Sequence, residues 1–473
     1  MKQNSNTSRN ALGAVRQIKP TPITLALLAA VGLATVPRSA RAADPPYSFK
    51  VVTTIGSPAS GGGTFVNDFE PTGLNNRGQL AFTAEPDVPF EEGIFLAGRG
   101  GIQQIMRFGQ SAPGGGTFST AELGIVGLND LGDAAFAFSL VPPGGVVGDT
   151  DFGPPIYGGL YRWSHLTGSL SPVVVPNVTP DPKGGVFVGI AFDASLNNLG
   201  AVAFTGFVTN TPVGLGEGVF IQRPSGSIST VVRAGDPSPD GGTFLLSNPV
   251  LGVSLNDVGD VGFVGNTTVD ADADHTKVYL RRAATGKIQL IPQPAGVIQQ
   301  SCLVVNNRGD IVFGGAYIIP SVAFGQGGVY LRSGGKTSLI AKVGDPAPGG
   351  GIFNFITGVS VEEEIALNNV GDVAFSAATT LPDSSIDEAV YYYSGATKKL
   401  RRLAGIGTVI PGYGAIVSLE QVAGAIIFPP PPVGGFPLSG MTLNDLGQVG
   451  FVATLTDGVT VFGALLMGTP QSF

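Results

Sequence analysis

Apolar and polar positions alternate along this chain in short runs, and Gly, Pro, Asn and Asp break the runs at brief intervals. A period of two with dense turn signals predicts β-strands joined by tight turns. One phrase recurs within the pattern: LNNRGQLAF (Leu74 to Phe82), LNDLGDAAF (Leu128 to Phe136), LNNLGAVAF (Leu196 to Phe204), LNDVGDVGF (Leu255 to Phe263), VNNRGDIVF (Val305 to Phe313), LNNVGDVAF (Leu367 to Phe375) and LNDLGQVGF (Leu443 to Phe451). A fixed phrase with elastic spacing implies a rigid unit carrying variable loops.

Each copy reads as a hairpin. Asn at the first turn position (Asn75, Asn129, Asn197, Asn256, Asn306, Asn368, Asn444) closes an Asx-turn onto the backbone. Gly at the fourth (Gly78, Gly132, Gly200, Gly259, Gly309, Gly371, Gly447) takes the left-handed conformation that ends a type I turn with a bulge. These residues are expected to be turn chemistry and not a ligand site. Two further strands follow in each unit, one of the type GIFL (Gly93) or GVYL (Gly328), the other leading into a Gly/Pro loop as in STVVRAGDPSPDGGTF (Ser229 to Phe244). The repeat therefore has four strands, A to D, with the Asn-x-x-Gly turn joining A to B.

The last unit runs A, B, C and then GTPQSF, whereas FKVVTTIGSPASGGGTF (Phe49 to Phe65) is a D strand with no A, B or C before it. The two fragments complete each other. The expected fold is all-β, a seven-bladed β-propeller with four-stranded blades whose N-terminal strand closes the last blade. A further degenerate unit between Gly405 and Pro437 would change the blade count.

The first 42 residues read as an export signal: Lys2, Arg9, Arg16 and Lys19 precede an apolar run from Ile23 to Val36, and Ala40-Arg41-Ala42 offers a cleavage site. The expected mature chain is 43–473, exported to the periplasm or beyond the cell, with no membrane span after cleavage. Six of the 26 basic residues lie in this leader against 34 acidic ones in the chain, so the mature protein is more acidic than the overall net charge of -8. That argues against nucleic acid as a partner. Charged residues make up only 13% and glycines number 72, a combination that suits sheets buried on both faces. Cys302, the one cysteine, has no disulfide partner within the chain and reads as a core residue.

The recurring phrase resembles the tandem repeat of a family of exported bacterial proteins named for N-x-x-G-x-x-A-F. Four copies match fully, ending Ala81-Phe82, Ala135-Phe136, Ala203-Phe204 and Ala374-Phe375, while the others carry Gly262, Val312 or Gly450 in place of Ala. The resemblance implies export and supplies no activity. It departs from anchored members after Leu466, where no hydrophobic helix and basic tail follow.

In a propeller the A to B and C to D turns share one face, and the B to C and D to A loops share the other. The B to C loops differ most in length and composition, and variable loops on a rigid ring carry recognition. They also concentrate acids, which gives a candidate binding rim of Glu85, Asp87, Glu91, Glu92, Asp149, Asp151, Glu217, Asp383, Asp387 and Glu388, with Lys277 the only base at its edge. The C to D turns, with Arg99, Arg223, Arg282, Arg401 and Arg402 among others, form a basic outer edge opposite. Asp270, Asp272 and Asp274 alternate as calcium ligands would, although the EF-hand glycine and closing Glu are missing, so calcium is the one candidate cofactor. Only His165 and His275 exist, and GGKTS (Gly334 to Ser338) resembles a P-loop without its first glycine or following helix. The expectation is a monomeric, secreted, non-enzymatic module that binds an extracellular glycan or protein. The alternatives are a carbohydrate-active hydrolase or lyase using paired carboxylates and a structural envelope protein.

Overall fold

The computed structural model describes residues 47–87, 92–119, 126–141, 158–211, 214–245, 252–269, 275–317, 326–356, 365–419 and 440–471. The leader and its cleavage site lie outside them. Among the described residues every regular element is a β-strand, and the strands form seven antiparallel sheets, one for each repeat. The third blade shows the plan: Phe187–Leu196, Val202–Thr211, Gly214–Gln222 and Ile228–Arg233 pair in chain order from the inside outward. In the second blade strand A is split, into Thr117–Phe118 and Gly127–Leu128, both paired to Ala134–Val141. The sixth blade splits likewise, into Ile352–Ile356 and Ile365–Leu367.

The seventh blade closes the ring. Its strand C, Val461–Pro470, pairs antiparallel with Tyr47–Thr54 in a register that runs from Tyr47 opposite Pro470 to Thr54 opposite Ala464. Tyr47 fastens this strand by donating its hydroxyl to the Gly447 carbonyl (2.7 Å). The Arg401 guanidinium lies over the rings of Tyr47 and Tyr392, 5.3 and 4.8 Å from their centroids.

Packing follows from the alternation of side chains across each strand. The seven apolar clusters each join two neighbouring blades, including one that unites Phe82 and Phe95 of the first with Val452 and Leu465 of the seventh. Blades one, two, three, four and six also contain an aromatic triad. In the third, Phe187 meets Phe220 edge-on at 4.7 Å, and Phe220 stacks on Phe204 at 5.7 Å. Equivalent edge-on contacts of 4.9 to 5.1 Å join Phe65 to Phe95, Phe118 to Tyr161, Phe244 to Tyr279 and Phe353 to Tyr391. Each such ring is fully buried or nearly so, and a buried Phe contributes about 1.5–3 kcal/mol by area alone.

Candidate binding face

The two ends of the ring are built differently, and the turn end is the more regular. In each Asn-x-x-Gly hairpin the Gly has positive φ, between 70° and 90°, where a side chain would be strained. The Asn carbonyl accepts the Gly N–H, as Asn75 does from Gly78 at 3.0 Å, and the Asn Oδ1 accepts the N–H four residues on in all seven blades. The rest of that side chain reaches across to the next blade. Asn75 Nδ2 donates to the carbonyl of Asn129, Asn129 to Asn197, Asn197 to Asn256, Asn256 to Asn306, Asn306 to Asn368, Asn368 to Asn444, and Asn444 back to Asn75, at 2.9 to 3.5 Å. These asparagines are buried, so both ends of each amide are matched by protein groups.

A second closed circuit runs through the following position. The N–H of Asn76, Asp130, Asn198, Asp257, Asn307, Asn369 and Asp445 each donates to Oδ1 of the next member, with Asp445 returning to Asn76, at 2.7 to 2.8 Å. Asn and Asp alternate here because an Asn amide supplies the donor a carboxylate needs: Asn198 Nδ2 reaches Oδ2 of both Asp130 (3.2 Å) and Asp257 (3.0 Å). An odd ring cannot alternate throughout. The one like pair is Asn307 beside Asn369, which avoids two adjacent carboxylates.

Strands A surround a cavity of about 240 Å³ on the ring axis, lined by residues from every blade, among them Gly73, Gly127, Ser195, Ser254, Cys302, Ala366 and Thr442. The hydroxyls of Ser195 and Ser254 are committed to the next blade, accepting N–H of Leu255 (3.0 Å) and Val305 (2.9 Å). Cys302 corrects the expectation of a core residue: it is half-buried at the channel wall with φ of 47°, at the bulge where the register slips between Ser301 and Val304.

The opposite end carries the D to A and B to C connections. Six D to A loops repeat one geometry, in which a residue two or three positions past strand D donates its N–H to the carbonyl of a hydrophobic residue where the chain enters strand A. The pairs are Gly56 to Phe65, Gly109 to Phe118, Asn177 to Phe187, Gly235 to Phe244, Gly344 to Phe353 and Gly407 to Ile416, at 2.7 to 2.9 Å. Five of the six lock an aromatic into its triad. This second repeat is also legible in the sequence, since Gly-Gly-x-Phe precedes each triad, and reading the asparagines alone misses it.

Ion pairs stitch these loops to the strands and change the expected acidic rim. Asp87 Oδ1 accepts the Thr64 N–H (2.8 Å) and its Oδ2 meets Arg107 (3.0 Å). Asp181 and Arg233 form a buried pair at 2.8 Å, and burial raises the Asp181 carboxyl above its ordinary pKa against the pull of Arg233. Burial pushes the Asp240 carboxyl up, but hydrogen bonds from Ser238, Thr267 and Lys277 outweigh it and hold the pKa below the usual value.

Of the predicted rim, Glu85, Glu217 and Asp387 are buried, a correction to the expectation that they face solvent. Asp387 is held by the Arg402 fork at 3.0 and 3.1 Å. Arg402, expected on the basic edge opposite, instead belongs to strand Leu400–Gly405, which runs toward the loop end. Glu388 is turned to the next blade, where its Oε2 accepts from Ser418 Oγ and the Leu419 N–H, both at 2.7 Å. Glu92 is half-buried, and Asp383 is exposed and accepts from Ser385 within its own turn. Glu91, Asp149, Asp151 and the Asp270, Asp272 and Asp274 trio lie outside the described residues. His165 is exposed at a strand end beside the buried Trp163 (ring centroids 5.7 Å apart). Gly334 and Gly335 make the tight turn between Gln326–Ser333 and Lys336–Lys342, so GGKTS is hairpin and not a phosphate loop.

A family model described as a family of unknown function, DUF7453, matches residues 86–296 and again 294–463. The chain belongs to that family. Two successive matches agree with the tandem architecture of this DUF7453 protein. No curated protein matches it. Among solved structures it is similar to an oligogalacturonate lyase from Vibrio parahaemolyticus (12% identity, 90% of this chain and 98% of that one, TM-score 0.45). It is also similar to the Pyrococcus horikoshii acylaminoacyl peptidase (9%, 85% and 52%, 0.45) and to the β-propeller domain of the Trilobed protease from Pyrococcus furiosus (10%, 71% and 98%, 0.35).

Proposed function

We propose that this DUF7453 protein is an exported, non-enzymatic propeller that binds an extracellular glycan or protein through its loop end. The observation that carries the reading is a contrast within the repeat: the Asn-x-x-Gly turns and the D to A loops recur almost unchanged, whereas the B to C connections between the same strands differ from blade to blade. Positions freed from building the ring are those available for a partner. The leader-like first 42 residues and the resemblance to the N-x-x-G-x-x-A-F family support export.

The test is a thermal-shift screen of residues 43–473 against extracellular polysaccharides, with calcium and chelator arms for the Asp270 to Asp274 segment. A ligand bound by the folded state raises the midpoint by mass action. The reading expects a shift that disappears when 142–157 or another B to C connection is replaced by Asn-Gly. A shift that survives replacement of every such connection would contradict it.

A further inference from the structure

We infer that the turn end carries a second site, for a small polyanion, at the seam between the first and seventh blades. A cavity of about 770 Å³ opens there, and Lys50, Arg77 and Arg99 line it together with Gln79, Gln103 and Gln448. That volume falls within the range of small-molecule sites. Among the described residues none of the three cations has an ion-pair partner, and the Arg77 guanidinium donates only to the Leu131 carbonyl (3.3 Å).

The other blades serve as internal controls. After the turn glycine, four of them carry Asp, and that carboxylate satisfies the adjoining turn. Asp133 takes Arg162 (2.8 Å) and the His165 N–H (2.9 Å); Asp260 takes Arg282 (2.8 Å) and the Ala283 N–H (2.7 Å). Asp372 accepts from the Tyr392 hydroxyl (2.6 Å) and the Gly395 N–H (2.8 Å), and Asp310 pairs with Arg308. At the seam the same position is neutral in both blades. Gln79 and Gln448 turn their Oε1 atoms to Asn75 and Asn444, at 2.8 Å each. The third blade has Ala201 there, but the Arg162 guanidinium, already neutralised by Asp133, fills the space by donating to Gly200 (3.2 Å). The internal carboxylate is thus missing just where bases remain and an opening exists. Oxyanions of a bound ligand would take its place, as carboxylate or phosphate does opposite Arg and Lys elsewhere.

This site lies on the face opposite the proposed partner face and does not depend on that proposal. Isothermal titration of the purified protein at low ionic strength with pyrophosphate and with citrate tests it, the two probes separating phosphoryl from carboxylate preference. Saturable binding of at least one is expected, weakened about tenfold in Lys50→Gln/Arg99→Gln and at least as much in Gln79→Asp/Gln448→Asp, which restores the carboxylate of the other blades. Arg223→Gln, an exposed arginine on another C to D turn, should leave affinity unchanged. If the aspartate pair fails to fold, the exposed Lys50/Arg99 pair decides alone. No saturable binding of either probe, or equal weakening by Arg223→Gln, overturns the inference.

Discussion

The turn end and the loop end of this ring use the same residue types for opposite purposes. On the turn end, Asn and Asp side chains bond from blade to blade in two closed circuits, so each blade is positioned by its neighbours and the seventh by the first. On the loop end, Asp side chains pair with Arg or Lys near by, Asp87 with Arg107 and Asp387 with Arg402, which fixes individual loops without linking all seven blades. Closure is therefore a collective property of one face, and variation is tolerated on the other. A repeat is most uniform where its side chains must meet copies of themselves.

The largest effect is expected from the loop end's buried ion pair. Arg233→Ala leaves the Asp181 carboxylate buried without its guanidinium, and breaking such a pair costs about 3–5 kcal/mol. Urea unfolding at neutral pH should show this loss, and the deficit should shrink in acid, where the variant's Asp181 takes up a proton. On the turn end, Asn256→Ala removes the acceptor of the Asp260 N–H and the donor to Asn306. A loss of about 2–3 kcal/mol is expected from two buried hydrogen bonds. Asn256→Asp, which retains the acceptor, separates the hairpin bond from the bond between blades.

Asn369→Asp probes the alternation itself. It faces a second carboxylate toward Asp445 in place of the amide that now donates to it (3.1 Å). A loss of about 1 kcal/mol is expected at neutral pH; no change in chemical denaturation would mean the alternation is incidental. Alkali gives the smallest effect at working pH. Burial raises the Tyr47 hydroxyl to about 12 from its ordinary 10.0. The raised folded-state value means that its share of stability is complete below pH 10 and is lost as pH climbs toward 12. Tyr47→Phe should flatten that part of an alkaline unfolding profile.

Much of the ring can be read without coordinates, because its determinants are local. Asn75 and Gly78 announce a hairpin by their spacing alone, and Tyr47–Thr54 announces itself as an outer strand because it leads into the same Gly/Pro loop as the D strands of other units. The circuits between blades are not legible in this way. Asn75 Nδ2 bonds to a carbonyl 54 residues away, and no feature of the phrase separates an amide that closes its own turn from one that also reaches a neighbour. The acidic rim fails for a related reason. Glu217 and Asp387 lie within strands Gly214–Gln222 and Ile386–Tyr393, although the sequence marks them as loop acids, and whether such a side chain meets water or an arginine on strand D depends on how the strands pack.

The turn end makes the ring, and the loop end is free to vary. The direct test is thermal unfolding of two variants beside the parent protein, one with 142–157 replaced by Asn-Gly, the other Asn256→Ala. The melting temperature should stay close to the parent's for the first and drop clearly for the second. An unfolded loop replacement beside an unaffected Asn256→Ala would contradict it.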